Sequence, residues 1–363
     1  MGHNSYLEDI RIIDLADEKA EFCTKLLADL GAHVIKVEKP PGDASREMDP
    51  FFRAKNSSHH SLSFFCNNTN KNSITMNLDH TEDRSKFVDL IKKTDVLVES
   101  LPPGYLKDIG LAYDNLSQIN PRLIYVSVTG FGQSDPRRDY KSCDLVAAAY
   151  GGQMYVNGSP LREPLKSFGD QSYYTASLFA AAGILLALRS RDQTGKGDHI
   201  DISLQESVTA TLEHVMIRYF AERVVYRRQE SLHWNDEFLV LPCRDGFMNV
   251  TLLQHWETLI EWIDTEGMAE DLKDDVWRDE RYRRTHRNHI VEVVGNWMSA
   301  HSVDDLFQKA QLMHFPWSPV RSLNQVLECP QHKARNFFIE KKHPDLGVTL
   351  KYPGVPFKTS SKG

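Results

Sequence analysis

A short apolar run, Arg11 to Leu15, opens the ordered pattern of the chain and reads as a strand. From about Glu18 to Leu30 the apolar positions Phe22, Leu26, Leu27 and Leu30 fall at helical spacing, and Gly31 stands where a helix stops. His33 to Glu38 is again strand-like. The alternation continues with a strand over Asn72 to Leu78, a helix over Glu82 to Lys93, and strands over Asp95 to Glu99 and Leu123 to Val128. Strand and helix in alternation predict βαβ crossovers and a mainly parallel sheet, hence an α/β chain with a Rossmann-like large domain. No GxGxxG is present, which argues against a dinucleotide, because the pyrophosphate turn of such folds depends on those glycines.

A glycine-marked loop, Gly151 to Gly169, leads into an apolar helix over Tyr173 to Arg189. The turn Gln193 to Asp198, a strand His199 to Leu204 and a long helix from about Gln205 to Ala221 follow. Arg223, Arg227, Arg228 and Gln229 then read as a linker into a smaller α+β domain. That domain is predicted as a hairpin, Phe238 to Pro242 and Phe247 to Leu252 around Arg244-Asp245-Gly246, with three helices around Trp256, Val294 and Leu306. From about Pro316 the chain turns extended, with Pro344, Gly347, Pro353, Gly354 and Pro356, and is expected to return to the first domain. The boundaries are therefore placed at 1–221, 222–315 and 316–363.

At 363 residues with 41% hydrophobic and 26% charged positions, the composition is that of a globular protein with room for two domains. The longest apolar stretch, Leu178 to Leu188, is eleven residues long and closed by Arg189 and Arg191, short of the roughly 20 that span a bilayer, and reads as a buried helix. Glu8 and Asp9 replace the cationic and apolar regions of a signal peptide, so the expected address is cytoplasmic. A net charge of -7 opposes broad attraction to nucleic acid or anionic membrane and points to a small-molecule partner. The five cysteines, at 23, 66, 143, 243 and 329, form no CxxC pair and predict reduced, mostly packed thiols.

Gly169-Asp170, just before the apolar helix, is the most informative pair. Asp170 can be a helix cap, since Asp caps well and the glycine makes the turn. It can equally be a carboxylate nucleophile, with the helix N-terminus stabilising the anion and the glycine admitting a substrate carbonyl. The readings are compatible. Gly195-Lys196-Gly197 is no phosphate loop: Ser190 and Gly197 stand where the Walker pattern needs glycine and Ser/Thr. His59-His60 and the other histidines form no HExxH, so no metal is expected, and no GxSxG elbow exists.

The ordered motifs resemble the family III coenzyme A transferases, a group that includes homologous α-methylacyl-CoA racemases. They are Arg11-Ile12-Ile13-Asp14-Leu15; Leu27 to Glu38 with Gly42-Asp43 and Arg46; Asn70-Lys71-Asn72-Ser73; and Asp95 to Glu99 with Pro103-Gly104. Val128 to Gly132, Gly169-Asp170, Thr194 to Gly197, Pro330-Gln331, His343-Pro344 and Tyr352-Pro353-Gly354 complete the series. The resemblance implies an interlocked dimer, a homodimer or a hetero-oligomer with a homologous subunit. It implies that Asp170 is acylated and that a coenzyme A thioester is a substrate, with no tightly bound cofactor. Lys39 and Lys71 would be charged anchors for the coenzyme's phosphates, Arg46 would bind the coenzyme, and Asn70, Lys71, Asn72 and Ser73 would line it. Thr129, Gly130 and Phe131 would lie near the thioester. The sequence departs from the family where Lys19 replaces a common Gln and where Lys107 and Asp108 replace an Arg.

The chemistry so implied is transfer of coenzyme A from an acyl-CoA to a carboxylic acid through an aspartyl mixed anhydride. Two rivals remain. A racemase needs a second base, and the related racemases place a His before an Asp where this chain has Cys143 before Asp144. An idle, acyl-CoA-binding subunit is the other. The acid partner depends on loops such as Tyr150 to Pro164 and on aromatics such as Trp234, which spacing does not place.

Overall fold

Ile12 to Leu15 are buried on both sides of their strand, as befits the middle of a parallel sheet, and Arg11–Leu15 (β1) is the strand from which the sheet grows in both directions. The protein is described here from a computed structural model covering residues 6–53, 59–134, 136–232, 238–343 and 347–359. Trp234 and Pro344 lie outside the described residues. After β1 come α1 (Glu21–Asp29), β2 (His33–Glu38), β3 (Phe51–Arg53), β4 (His59–Ser61), α2 (Leu62–Asn67), β5 (Lys71–Thr75), α3 (Thr81–Ile91) and β6 (Val96–Glu99). Then follow α4 (Tyr105–Asp108), α5 (Tyr113–Ile119), β7 (Ile124–Thr129), α6 (Asp144–Tyr150), α7 (Gln153–Val156), α8 (Gln171–Thr194) and β8 (His199–Ser203). Helices α9 (Leu204–Ala210) and α10 (Glu213–Glu222) follow β8.

Six strands pair in parallel in the order β5-β2-β1-β6-β7-β8, so this is a mixed α/β fold around a parallel sheet. The chain moves outward from β1 through β2 to β5, then restarts on the other side at β6. The reversal leaves a crevice beyond the carboxyl ends of β1 and β6, the place where open α/β sheets take ligands. On one face Ile12, Val34, Val98 and Val126 meet Cys23 and Leu27 of α1 and Ala176, Ala180 and Ile184 of α8. On the other, Ile13, Leu97 and Tyr125 meet Phe87 and Ile91 of α3 and Leu116 of α5. Period-2 alternation thus divides each strand between two layers.

Helix α8 runs over 24 residues to Gly195, whose φ of 73° ends it in the left-handed region. By length and composition it could cross a membrane; its Ala176, Ala180 and Ile184 stripe is buried in the core, while Leu178, Phe179, Leu185 and Leu186 stay exposed. Gly197 packs so tightly that an added Cβ would lie 1.9 Å from the Leu123 carbonyl oxygen, which explains the glycine in that turn. The single helix expected over Gln205 to Ala221 is instead two, α9 and α10. Thr209 Oγ1 donates to the Gln205 and Gly151 carbonyls and Thr211 Oγ1 to the Val208 carbonyl, back-bonds that compete with helix continuation.

The chain divides into two units: residues 1–156, 165–226 and 334–363 form the first, and residues 157–164 and 227–333 the second. The second unit contains the expected hairpin, β9 (Phe238–Cys243) and β10 (Gly246–Thr251), with β11 (Ser318–Pro319) at its edge. Its core is aromatic, with Trp256, Trp262, Trp277, Trp297 and Trp317 all buried. Residues 316–333 belong to this unit; the extended tail from 334, with its hairpin β12 (Phe338–His343) and β13 (Val348–Pro353), belongs to the first. The five cysteines are all free thiols, Cys143 exposed and Cys23 and Cys243 buried.

Two buried lysines fasten the β1 side of the first unit. Lys36 Nζ lies 2.8 Å from Glu21 Oε1, 2.9 Å from Asp43 Oδ2 and 2.6 Å from the Ala16 carbonyl oxygen. Lys71 Nζ donates to Asp14 Oδ2 at 2.9 Å, to the Glu21 carbonyl at 2.9 Å and to Asn68 Oδ1 at 2.8 Å. Burial by itself would raise the Asp14 pKa, but Lys71 and Lys36 hold it below the usual carboxylate value. Removing one member would strand its partner's charge in the core, at a cost of about 3–5 kcal/mol. Lys71→Met is therefore expected to lose about that much in urea denaturation, whereas Lys86→Ala, at an exposed pair with Glu82, leaves the urea midpoint close to that of the native protein. Equal midpoints for the two variants would refute the role given to Lys71.

Candidate active site at the carboxyl edge of the sheet

The turn into α8 is made by Gly169, whose φ of 77° strains any other residue. Asp170 occupies the cap position with φ -97° and ψ 58°, yet its side chain makes no capping bond. The capping acceptor comes from elsewhere. Asp144, the first residue of α6 and almost wholly buried, accepts the Ser172 backbone N–H on Oδ1 at 2.8 Å, and the Ser172 hydroxyl donates to the Asp144 carbonyl at 3.1 Å. The Asp170 side chain is left 57% exposed.

Lys166 joins these pieces. Its ammonium donates to Asp144 Oδ2 and to the Gly169 carbonyl and lies 4.0 Å from Asp170 Oδ1. Behind Asp144, an added Cβ on Gly130 would stand 2.3 Å from Ser142 Cβ, so the glycine lets the 142–144 segment sit against the end of β7. Thr129 Oγ1 accepts the Gly132 N–H at 3.0 Å, and Phe131 is buried edge-on between Tyr140 and Tyr150. In this structure Thr129, Gly130 and Phe131 pack the loop that supports Asp144.

The loop after β1 closes the other side. Phe22 meets Tyr174 edge-on with ring centroids 4.6 Å apart. Burial, then the charge of Glu18, pushes the Tyr173 phenol up, with Cys143 and Asp17 adding to it. Asp17 takes its ammonium partner from Lys19, so the Lys19 that departs from the family pattern is tied to its own loop. Ser100 Oγ in turn donates to Asp17 Oδ1 at 2.5 Å.

At the sheet reversal a cavity of about 320 Å³ opens among Leu15, Val37, Met76, Leu78, Leu101 and Tyr105, with Asp17 and Lys39 also in its wall. Lys39 is largely exposed and pairs with Asp79 at 2.6 Å. An apolar cleft with a solvent-facing cation in its wall fits a ligand with a flat or aliphatic body and anionic groups.

The remaining expected ligands are distributed differently. All three Lys71 donors have acceptors in the core, which leaves none for a phosphate. Arg46 holds Glu38 in a bidentate pair, at 2.6 and 2.7 Å, and stacks 3.9 Å over Phe64. Ser73 also donates to Glu38, whose carboxyl is held at about 2: burial opposes this, and the Arg46 and Ser73 bonds overcome it. Asn72 is exposed on the edge strand β5. Asn70, at φ 65°, bonds Asp29 and Lys341 at the end of α1 farthest from its first turn, hence at the opposite edge of the sheet from Asp170. In this structure the side chains of Lys71 and Asn70 are thus engaged by protein partners. Among the described residues no group of His, Cys, Asp and Glu could hold a metal ion.

Sequence reasoning singled out neither Lys166 nor Glu99 and weighed Asp144 only as the neighbour of Cys143. Glu99 closes β6, buried, and accepts from the Leu101 N–H at 2.8 Å and from Gln133 Nε2 at 3.2 Å. Burial raises its carboxyl to about 7, against the opposing bonds from Ser127 and the Leu101 N–H. An acid before the Pro-Gly segment could have been noticed; its burial could not.

Known proteins resemble this chain in both sequence and fold. A family model, CoA-transferase family III, matches residues 7–363. The chain is 34% identical to the succinyl-CoA–L-malate CoA-transferase beta subunit of Chloroflexus aurantiacus, over 98% of this chain and 88% of that protein. It is 31% identical to the succinyl-CoA:(R)-benzylsuccinate CoA-transferase subunit BbsE of Thauera aromatica, over 96% and 87% respectively. Its fold matches the crystal structure of a CAIB/BAIF family protein from Brucella suis with a TM-score of 0.90 and 28% identity, over 99% of this chain and 94% of that one.

Glu99 also predicts a pH dependence. Its folded pKa of about 7 is above the ordinary 4.5, so the folded state binds this proton more tightly than the unfolded one. Its favourable contribution is complete below about pH 4.5 and is lost as the pH rises through about 7. Glu99→Gln should therefore flatten the fall in unfolding free energy between those values by an amount on the order of 1–3 kcal/mol. An unchanged slope in the variant contradicts the assignment.

Proposed function

The chain belongs to CoA-transferase family III, and on that premise we propose that it moves coenzyme A from an acyl-CoA to a carboxylic acid, with Asp170 as the covalent nucleophile. The observation that carries this is the exposed Asp170 carboxylate at the start of a helix already capped by Asp144. A carboxylate needs no general base to attack a thioester, since carboxyl groups ionise near about pH 4. Attack on the thioester carbon forms a C–O bond and an oxyanion. Collapse breaks the C–S bond, the electron pair leaves with sulfur, and a mixed anhydride remains.

The thiolate can then attack the aspartyl carbonyl, release the donor acid and leave an aspartyl thioester. The incoming acid repeats these steps in reverse and departs as the new acyl-CoA, with Asp170 restored. A thiolate that must wait between steps requires the coenzyme to stay anchored. The cavity at the sheet reversal, with Lys39 in its wall, is suited to the nucleotide end of the coenzyme. Arg46, stacked on Phe64 and partly exposed, could add to that anchoring.

Two relatives are named for succinyl-CoA, which makes it the donor to assay first, with a dicarboxylic or aromatic acid as acceptor. Both are named as subunits. The exposed apolar residues Leu178, Phe179 and Leu186 of α8 and Ile217 and Phe220 of α10 favour burial by another chain, identical or homologous.

The reaction is tested by incubating the protein with succinyl-CoA and hydroxylamine and mapping the product by peptide mass spectrometry. A hydroxamate on Asp170, absent in Asp170→Ala together with transfer, is the expected result. Modification elsewhere, full transfer by Asp170→Ala, or α-proton exchange with solvent in the absence of an acceptor acid would contradict the proposal.

A further inference from the structure

The mechanism leaves Lys166 without a chemical part, although its ammonium is the one that faces Asp170 among the described residues. Two of its three donors have acceptors, Asp144 Oδ2 and the Gly169 carbonyl. Those two bonds come from separate segments, α6 and the turn into α8, and hold the nitrogen in place, because Asp144 is itself buried and fixed by the Ser172 N–H. The nitrogen then stands 4.0 Å from Asp170 Oδ1, beyond hydrogen-bond range of that oxygen but close enough to reach an oxygen carried on a carbon that Oδ1 attacks.

We propose that Lys166 is a further catalytic residue of this site, giving its third N–H to the oxygen that becomes negative as Asp170 attacks. The proposal rests on the reading of Asp170 as the nucleophile. In the resting site the ammonium faces the Asp170 carboxylate. As the new C–O bond forms, negative charge leaves that carboxylate and gathers on the former thioester carbonyl oxygen. A fixed cation beside the attacking oxygen follows this movement with little displacement, and gains most where charge develops. When the C–S bond breaks the charge passes to sulfur, and Asp170, now acylated, is neutral. No proton needs to leave Lys166 at any step.

A lysine that only clamped the loop would act through Asp144 and the Gly169 carbonyl alone. Its loss would lower stability and disturb coenzyme binding and turnover together. A lysine that meets the oxyanion affects acylation of Asp170 while leaving the KM for acyl-CoA in place.

The test compares Lys166→Met and Lys166→Arg with the native protein in single-turnover release of free thiol from succinyl-CoA, with hydroxylamine present to trap the acylated Asp170 and free the thiol. Lys166→Met exposes the Asp144 charge, so the double variant Asp144→Asn/Lys166→Met is measured against Asp144→Asn alone; the amide oxygen of the substituted side chain can still accept the Ser172 N–H. We expect thiol release to slow on the order of 10²-fold on loss of Lys166 in either background, at an acyl-CoA KM within about threefold of its parent. Lys166→Arg should recover at least a tenth of the native rate. The inference is overturned if both methionine variants acylate Asp170 within about threefold of their parents, or if rate and KM change together and arginine restores neither. Asp170→Asn separates the two claims: full activity there removes the nucleophile itself, whereas an inactive Asp170→Asn beside a fully active Lys166→Met removes only the role of the lysine.

Discussion

The hydrogen bond from the Ser172 N–H to Asp144 is the contact on which the site depends. A helix N-terminus presents unsatisfied N–H groups that draw in the nearest carboxylate. Were Asp170 to fold back and take that bond, its oxygens would be engaged and aimed into the helix. Asp144 occupies the position instead, from a separate helix, and Asp170 faces outward with the positive end of α8 behind it. The capping bond that the sequence allowed to Asp170 is made by Asp144, and Asp170 stays available for the nucleophilic role proposed for it.

That arrangement holds only if the segments around it keep still, and the buried charges serve this purpose. Lys36 and Lys71 tie β1, β2, β5, the first turn of α1 and the Asp43 loop into one unit, so the loop after β1 is fixed at both ends. On the far side, Gly130 admits Ser142 at a distance no side chain would permit, and the 142–144 segment is set against β7. Rigid backbone on both sides of the crevice lets a partly exposed carboxylate be aimed without being buried.

The layout of the first unit was legible because its signals are local. Period-2 strands, 3.6-period helices and Gly31 and Gly195 at helix ends mark β1, α1, β2, α3, β6, β7 and β8 within a few residues. What sequence could not supply was partnership. Lys71 stands in a polar quartet beside a strand and looks like an anchor for an anionic ligand, but Asp14, far away along the chain, takes its charge in the core. Lys166 and Asp144 lie in separate segments with no shared spacing, and only the tertiary fold joins them. The break between α9 and α10 was hidden for a related reason: the apolar pattern runs on while threonine hydroxyls bond back to the helix.

Covalent transfer through Asp170 requires that oxygen be exchanged between the acid and the enzyme. Turnover with an acceptor acid carrying heavy oxygen in its carboxylate, followed by mass spectrometry of the peptide containing Asp170, tests this without relying on any variant. Attack by the acid on an aspartyl thioester, and release of its acyl group to the thiolate, leave one of the acid's oxygens on the enzyme. Label in the Asp170 carboxylate after a single round is the expected result. Transfer to the acid with no label in that peptide would contradict the covalent role of Asp170.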